Sequence, residues 1–184
     1  MKLYTESSAV LAWLLEQEHG ELVADTLADA ELIVSSDLTL IECDRVIRAV
    51  ALNELQESDA AHRKTRFNAV ATRWTLLALD EEIIERARRP FPEPIRALDA
   101  IHLASAVSAR KAVSDLAMLS LDGRVRKSCR PSRLSTLAGR RRTYVIGAMR
   151  TRQRMRCNQS RRTRFGNQDI RLRVLEGRCP FLAL

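Results

Sequence analysis

Four carboxylates are the residues in this chain whose type and placement could do chemistry. Glu6 and Asp122 each follow a short apolar run, and Glu42 and Asp99 lie inside apolar stretches. A carboxylate in such a place is costly unless it is exposed, hydrogen-bonded or bound to a metal. If folding brings the four together, they make an oxygen-lined site for a hard divalent cation such as Mg²⁺ or Mn²⁺.

Short apolar strands alternate with helical patterns along the part of the chain that carries these acids. Strands are predicted at residues 2–5, 32–35, 75–79 and 116–121, with helices that include 21–30, 58–74 and 98–111. This alternation predicts an α/β fold with a central parallel sheet covered by helices. Ligands in such folds gather at the carboxyl ends of the strands, where Glu6 and Asp122 fall. Ser7 or Ser8 is expected to cap the first helix.

Charge divides the chain into two parts. Residues 1–123 hold 13 Lys and Arg against 21 Asp and Glu, a net charge of −8, whereas residues 124–184 hold 18 against 2, a net charge of +16. Arginines in the second part follow no helical period and few apolar residues accompany them. We therefore expect a globular domain over residues 1–128 and an irregular, Arg-rich basic tail over 129–184 that is disordered or poorly packed.

The tail has three interpretations. It is an RNA-binding arm that contacts phosphates, a basic extension without a specific role, or the product of out-of-frame translation. The third is our preferred hypothesis, because the composition changes abruptly where a short helix and a final strand are expected.

Other features of the composition limit the class of protein. No apolar run approaches the roughly 20 residues of a membrane span, and no signal peptide is visible, so we expect a cytoplasmic protein without a membrane partner. The four cysteines form no CxxC pair and fit no zinc spacing, which predicts unpaired thiols.

The motifs around the four acids resemble those of a known family. Residues 4–9 read Tyr-Thr-Glu-Ser-Ser-Ala, residues 39–45 fit Thr-x-x-Glu-x-x-Arg, residues 96–104 read Arg-Ala-Leu-Asp-Ala-Ile-His-Leu-Ala, and residues 120–122 read Ser-Leu-Asp. In this order and at these separations they resemble the PIN-domain ribonucleases, specifically the VapC-type toxins of bacterial toxin–antitoxin pairs. The resemblance covers residue 1 to about residue 128.

The resemblance implies a fold, an activity and partners. The fold would be a three-layer α/β/α PIN-like domain, and the activity that of a metal-dependent endoribonuclease toxin leaving a 3′-hydroxyl and a 5′-phosphate. One or two Mg²⁺ or Mn²⁺ ions would serve as the cofactor. A cognate antitoxin would inhibit the toxin, RNA would be the substrate, and the toxin would form a homodimer in which the helix at 58–74 is a plausible contact surface.

The resemblance also assigns roles to the acids. Glu6, Asp99 and Asp122 are the expected metal ligands, with Asp122 acting directly or through water. Glu42 would orient the attacking water or bind the metal through water. The family usually has Asp at the position of Glu6, and the extra methylene of Glu reaches about an ångström further, which predicts a weaker or shifted metal site and a lower catalytic rate.

Supporting roles are expected for three further residues. Ser8 and Ser120 could position a carboxylate or a phosphate by hydrogen bonding, and Arg45 could pair with Glu42 or face the substrate. His102, one turn after Asp99, is expected to pack or hydrogen-bond within the fold and not to catalyse.

Each acid, considered alone, also has a structural explanation. Asp99 could cap a helix, Asp122 could be a turn residue before Gly123, and Glu42 could form a surface pair with Arg45. Three other functions stay open for the whole chain: hydrolysis of another phosphoester, a catalytically weak PIN scaffold that binds antitoxin or RNA without cutting, and nucleic-acid binding through the tail alone.

Overall fold

A parallel sheet forms the centre of the protein in the computed structural model, which describes residues 1–53, 57–129, 135–137 and 172–174. Its central strands are β1 (Lys2–Thr5), β2 (Leu32–Ser36), β3 (Thr75–Leu77) and β4 (Leu116–Leu119). The sheet order is β5-β4-β1-β2-β3-β6, in which β5 (Ser135–Leu137) runs parallel to β4 and β6 (Leu172–Val174) runs antiparallel to β3. The carboxyl ends of β1 to β4 therefore lie at one edge.

Seven helices cover this sheet within the described ranges. Helices α1 to α4 pack on one face and α5 to α7 on the other. They are α1 (Ser7–Leu14), α2 (Gly20–Ala28), α3 (Asp37–Asn53), α4 (Glu57–Ala71), α5 (Glu81–Arg88), α6 (Ala97–Ala112) and α7 (Gly123–Cys129). None of these helices is both long and apolar enough to cross a membrane.

Alternating side chains of the strands produce the two cores between the layers. Leu3 of β1 packs with Val10 and Trp13 of α1, whereas its neighbour Tyr4 packs on the opposite face with Leu103 of α6. Because successive strand residues point to opposite faces, each buried strand supplies both cores. The predicted three-layer α/β/α fold is confirmed.

Two strands end earlier than the sequence predicted. Strand β3 stops at Leu77 because Asp80 caps α5 by accepting a hydrogen bond from the Ile83 N–H at 2.9 Å. Strand β4 stops at Leu119, and residues 120–122 form the loop that carries Asp122. The division at residue 128 stays a prediction, and most of the expected tail lies outside the described residues.

Candidate active site

Glu6 occupies the turn between β1 and α1, and it is almost completely buried, with 3% of its surface exposed. Its backbone is extended, and its carboxylate accepts hydrogen bonds from the N–H of Ser8 at 3.0 Å and from the Ser8 hydroxyl. Glu6 is therefore the N-cap of α1, so the expectation that Ser7 or Ser8 caps this helix was wrong. A carboxylate suits this place because it satisfies free N–H groups and interacts favourably with the helix dipole.

Ser8 joins Glu6 to the loop that carries Asp122. Its hydroxyl donates to Glu6 and accepts a hydrogen bond from the Leu121 N–H at 3.0 Å. The Glu6 N–H also donates to the Leu119 carbonyl at the end of the neighbouring strand, at 3.4 Å. Two sequence-distant acids are thus placed on adjacent strand ends by one serine and one backbone contact.

Asp122 begins α7, where its side chain satisfies backbone donors. Its Oδ1 accepts hydrogen bonds from the N–H groups of Arg124 at 2.7 Å and Val125 at 3.1 Å. The buried Ser120 hydroxyl accepts a hydrogen bond from the Asp122 N–H at 3.1 Å. Asp122 therefore caps α7, a structural role different from the turn residue suggested for it alone. Ser120 contacts the backbone of this acid, and its role in positioning a carboxylate or phosphate stays a prediction.

Glu42 lies on α3 and contacts a histidine from the opposite helical layer. Its Oε2 lies 2.6 Å from Nε2 of His102 on α6, whose side chain is 1% exposed, while that of Glu42 is 20% exposed. Burial raises the pKa of Glu42, but hydrogen bonds from His102 and Ser7, together with the charge of His102, outweigh it. The pKa of this carboxyl consequently lies below its ordinary value.

Arg45 does not play the role that its spacing from Glu42 suggested. It is exposed, and among the described side chains no ion pair joins it to Glu42, whose partner is His102. The suggested surface pair between these two residues was therefore wrong, because Glu42 turns to the buried His102, and a role for Arg45 facing the substrate stays a prediction.

A hydrogen-bonded chain continues behind His102. Its Nδ1 lies 3.4 Å from the Tyr4 hydroxyl, which donates to Ser36 Oγ at 3.1 Å. The rings of Tyr4 and His102 meet edge to face, with centroids 6.5 Å apart. Burial, with smaller contributions from the charges of Glu6 and Glu42, raises the pKa of the Tyr4 phenol, so it remains neutral.

Asp99 lies in the first turn of α6, one turn before His102. It is half-buried, and its Oδ2 accepts a hydrogen bond from the Arg96 N–H at 3.3 Å. This contact is the helix-capping role suggested for Asp99 alone. Asp99 and His102 thus share the first turns of α6, and the part of Asp99 in a metal site stays a prediction.

Direct contacts join these acids only in part. Ser8 joins Glu6 to Leu121, the residue before Asp122, and Ser7 of α1 and His102 of α6 both contact Glu42, whereas Asp99 contacts the Arg96 N–H. However, no three or more Asp, Glu, His or Cys side chains in the described ranges lie close enough together to hold a metal ion. The acids share an edge, but they do not form an assembled metal site.

Two contacts of this site escaped the sequence analysis. Ser7 was considered only as a helix cap, although its hydroxyl contacts Glu42. His102 hydrogen-bonds within the fold as predicted, but its partner Glu42 was not foreseen. The only available signal for His102 was its position one turn after Asp99.

The groove between α5 and α6 is separate from these acids. It has a volume of about 360 Å³, and its lining residues include Glu82, Arg86 and Lys111 together with the apolar Ile83 and Val107. None of the four candidate acids lines it, so its shape does not bear on the proposed chemistry.

The fold and the candidate site define the class of this protein: it is a three-layer α/β/α domain with acids at the carboxyl edge of its sheet. Residues 3–128 match the model of the PIN domain, and the chain belongs to that family. More particularly, it is a homologue of the VapC-type ribonuclease toxins. It is 29% identical over 140 residues to Ribonuclease VapC35 from Mycobacterium tuberculosis, a match that covers 74% of this chain and 96% of the relative.

Solved structures share the fold at lower identity. VapBC2 from Rickettsia felis, bound to a DNA fragment from its promoter, matches with a TM-score of 0.51 and 11% identity over 75% of this chain and 98% of that one. Mycobacterium tuberculosis VapC20, described as a Sarcin-Ricin loop cleaving toxin, matches with a TM-score of 0.50 and 14% identity over 68% and 94%. The predicted resemblance to VapC-type toxins is confirmed.

Proposed function

We propose that this protein is a metal-dependent endoribonuclease toxin that hydrolyses RNA phosphodiester bonds and is inhibited by a cognate antitoxin. The observation that carries the proposal is the PIN-domain match over residues 3–128, supported by the placement of Glu6 and Asp122 just beyond the adjacent strands β1 and β4. Homology to a protein named as a ribonuclease supports RNA as the substrate. We place this activity in the cytoplasm.

The proposed metal ligands are Glu6, Asp99 and Asp122, and the proposed cofactor is Mg²⁺ or Mn²⁺. When bound, the metal would lower the pKa of a water and stabilise charge on the scissile phosphate. Glu42 would orient the attacking water by accepting its hydrogen bond, a role that the lowered pKa of this carboxyl favours because the group stays ionised. Ser8 and Ser120 would hold the loops that carry Glu6 and Asp122.

The chemistry of the donor set fits a hard cation, although the side chains are not converged on one point. Each carboxylate has about four lone-pair directions, so the hydrogen bonds described above leave acceptor capacity for a metal. Two buried hydroxyls beside the acids, Thr5 Oγ1 and Thr39 Oγ1, have no hydrogen-bond partner within the described part of the chain. Buried polar atoms of this kind favour a hydrated ion nearby, whose waters would satisfy them.

Electrostatics also favour a metal at this edge. Four carboxylates repel one another and the phosphates of RNA, so the site without a cation opposes binding of its own substrate. A divalent ion reverses the sign of that interaction. We therefore expect no cleavage by the metal-free protein.

The proposed partners are an antitoxin and a second copy of the toxin. Support for the antitoxin comes from the structural neighbours, which include the VapBC2 and FitAB assemblies. The homodimer rests on the resemblance to VapC-type toxins, with the helix at 58–74 as a candidate contact surface.

The direct test is to incubate the purified protein with structured RNA and Mg²⁺, Mn²⁺ or a chelator. Cleavage is expected only with metal, and Asp99→Asn should lower the rate about 100-fold or more. Asp25→Asn, an exposed change on α2, is the matched control and should cleave like the wild type. Parallel assays with DNA and small phosphoesters test the other hydrolase interpretations.

A catalytically weak PIN scaffold is the second candidate function. Two observations favour it: Glu6 stands where the family usually has Asp, and no three carboxylates have converged on a metal position. A folded protein that binds RNA but never cuts with any metal would establish it in place of the nuclease. Glu6→Asp would then show whether the extra methylene is the cause, since only in that case does cleavage appear.

A further inference from the structure

We infer that His102 is a positioning residue that holds the Glu42 carboxylate in one orientation at the carboxyl edge of the sheet. This inference rests on the proposed function, because it assigns His102 to the same cleavage site. It concerns a residue that neither touches the substrate nor binds the metal. Its role is to fix a group that does act.

The contact between His102 and Glu42 is short, and its histidine is buried. His102 Nε2 and Glu42 Oε2 are 2.6 Å apart, the short distance expected when a charged group takes part. The imidazole is 1% exposed and so has no competing water, whereas the Glu42 side chain keeps 20% exposure toward the site. The immobile partner is buried and the partner that must act remains accessible.

The hydrogen bond between His102 and Glu42 also joins the two helical layers. Glu42 belongs to α3, whose Cys43 and Ile47 pack on one face of the sheet. His102 belongs to α6, whose Leu103 and Ala104 pack on the opposite face. The bond therefore crosses the edge of the sheet and connects the two helical layers where the acids gather. Any change in the spacing of the layers at this edge would move Glu42.

The chain behind His102 restrains the ring. Tyr4 meets it edge to face, and the Tyr4 hydroxyl lies 3.4 Å from Nδ1 while donating to Ser36. A ring with both nitrogens near partners has one preferred orientation. A second support comes from Ser7, whose hydroxyl reaches Glu42 from α1. Glu42 is thus held from both layers, with His102 as the better restrained of its two partners.

The contact is tested first without reference to activity. In nitrogen-15 NMR spectra of the full chain, the Nε2–H proton of His102 should be protected from exchange and strongly deshielded by the carboxylate. Glu42→Gln should shift this signal, and Asp25→Asn should leave it in place. If the wild type shows no protected imidazole N–H, or if Glu42→Gln leaves the signal unmoved, the inference is overturned.

The kinetic test compares two replacements of the same histidine. His102→Leu removes the donor and should lower kcat about 10- to 100-fold with little change in KM, the usual cost of losing a support to an active group. His102→Gln keeps an N–H donor close to the position of Nε2 and should recover part of that loss. Tyr4→Phe, which removes only the far end of the chain, should cost less, and Asp25→Asn on the exposed face of α2 should cost nothing.

The outcomes separate this inference from the proposed function. A wild type that cuts no RNA with any metal overturns the nuclease, and the NMR signal still decides whether His102 holds Glu42. A wild type that cuts, with His102→Leu and His102→Gln equally active, overturns the positioning role and leaves the nuclease standing. Should the leucine variant fail to fold, the glutamine and Tyr4→Phe variants carry the test, and wild-type kcat in both contradicts the inference.

Discussion

The two halves of the candidate site are held in different ways. Glu6 and Asp122 cap helices that begin just beyond strand ends, and their partners lie within three residues along the chain, with Ser8 joining the two loops. Glu42 is held instead by side chains from two other helices, and its partner His102 is 60 residues away. The first half depends on local backbone geometry and the second on how the layers pack.

This difference predicts which acids keep their positions when the surrounding structure is altered. A helix cap forms whenever its own helix forms, so Glu6 and Asp122 remain placed as long as β1, β4 and their helices are intact. Glu42 is placed only while α3 and α6 keep their separation. We call Glu6 and Asp122 the strand-borne half of the site and Glu42 the helix-borne half. We therefore expect variants of the strand-borne half to alter the chemistry with little change in geometry, and variants of the helix-borne half to alter the geometry first.

The largest effect should come from Glu6→Gln, which breaks the chemistry of the strand-borne half. The amide oxygen can still accept from the Ser8 N–H and cap α1, so the melting temperature should change little. Loss of the negative charge should lower kcat/KM about 100-fold or more, because a metal ligand contributes several kcal/mol to the transition state. The measurement is RNA cleavage beside thermal unfolding.

Glu6→Leu is the companion variant, since it removes both the charge and the cap. It should lose activity and also be less stable by about 1 kcal/mol or more. Wild-type cleavage by Glu6→Gln would remove Glu6 from the site and leave it as a helix cap alone.

An intermediate effect is expected for Ser8→Ala, which separates the two strand-end loops. The change removes one acceptor of the Leu121 N–H and one donor to Glu6, and leaving a part-buried N–H without a partner costs about 1–3 kcal/mol. The free energy of unfolding should fall by that amount, and kcat about tenfold. Ser114→Ala, an exposed change in the turn before β4, is the control. Unchanged stability would show that the serine bridge is dispensable.

The smallest effect should be a pH dependence of stability that belongs to Glu42. Because the folded state lowers the pKa of this carboxyl below its ordinary value of 4.5, its ionisation stabilises the fold fully above that pH and less as the pH falls through the folded pKa. The difference in unfolding free energy between wild type and Glu42→Gln should therefore shrink from pH 6 to pH 3. Chemical denaturation at several pH values measures it, and a difference that grows in acid would contradict the contact with His102.

The sequence was sufficient for the features that depend on nearby residues. Alternating strands and helices, a parallel sheet covered by helices, and the positions of Glu6 and Asp122 near strand ends follow from periodicity and from short turns, which are local properties. The resemblance at residues 96–104 added the family, which the matching PIN domain model confirms. Even there the cap of α1 was assigned to the wrong residue, because a glutamate is a less common N-cap than serine.

Contacts between distant elements could not be predicted in the same way. The partner of Glu42 looked like Arg45 because i, i+3 spacing is visible in a sequence, whereas the approach of α3 to α6 arises only from packing on a shared sheet. For the same reason, motif order alone gave no information on how closely the four carboxylates converge. The roles of the individual acids in metal binding stay predictions.

Two cysteines give each helical layer its own chemical reporter. Cys43 follows Glu42 on α3, and Cys129 ends α7 on the other face; both are buried thiols. Burial raises the pKa of Cys129 to about 12, and it raises that of Cys43 as well, with the neighbouring Glu42 and Asp44 charges adding to the effect. Thiols of this kind react with alkylating reagents only when the surrounding layer opens. The relative alkylation rates of Cys43 and Cys129, measured by mass spectrometry, therefore show which helical layer opens more readily.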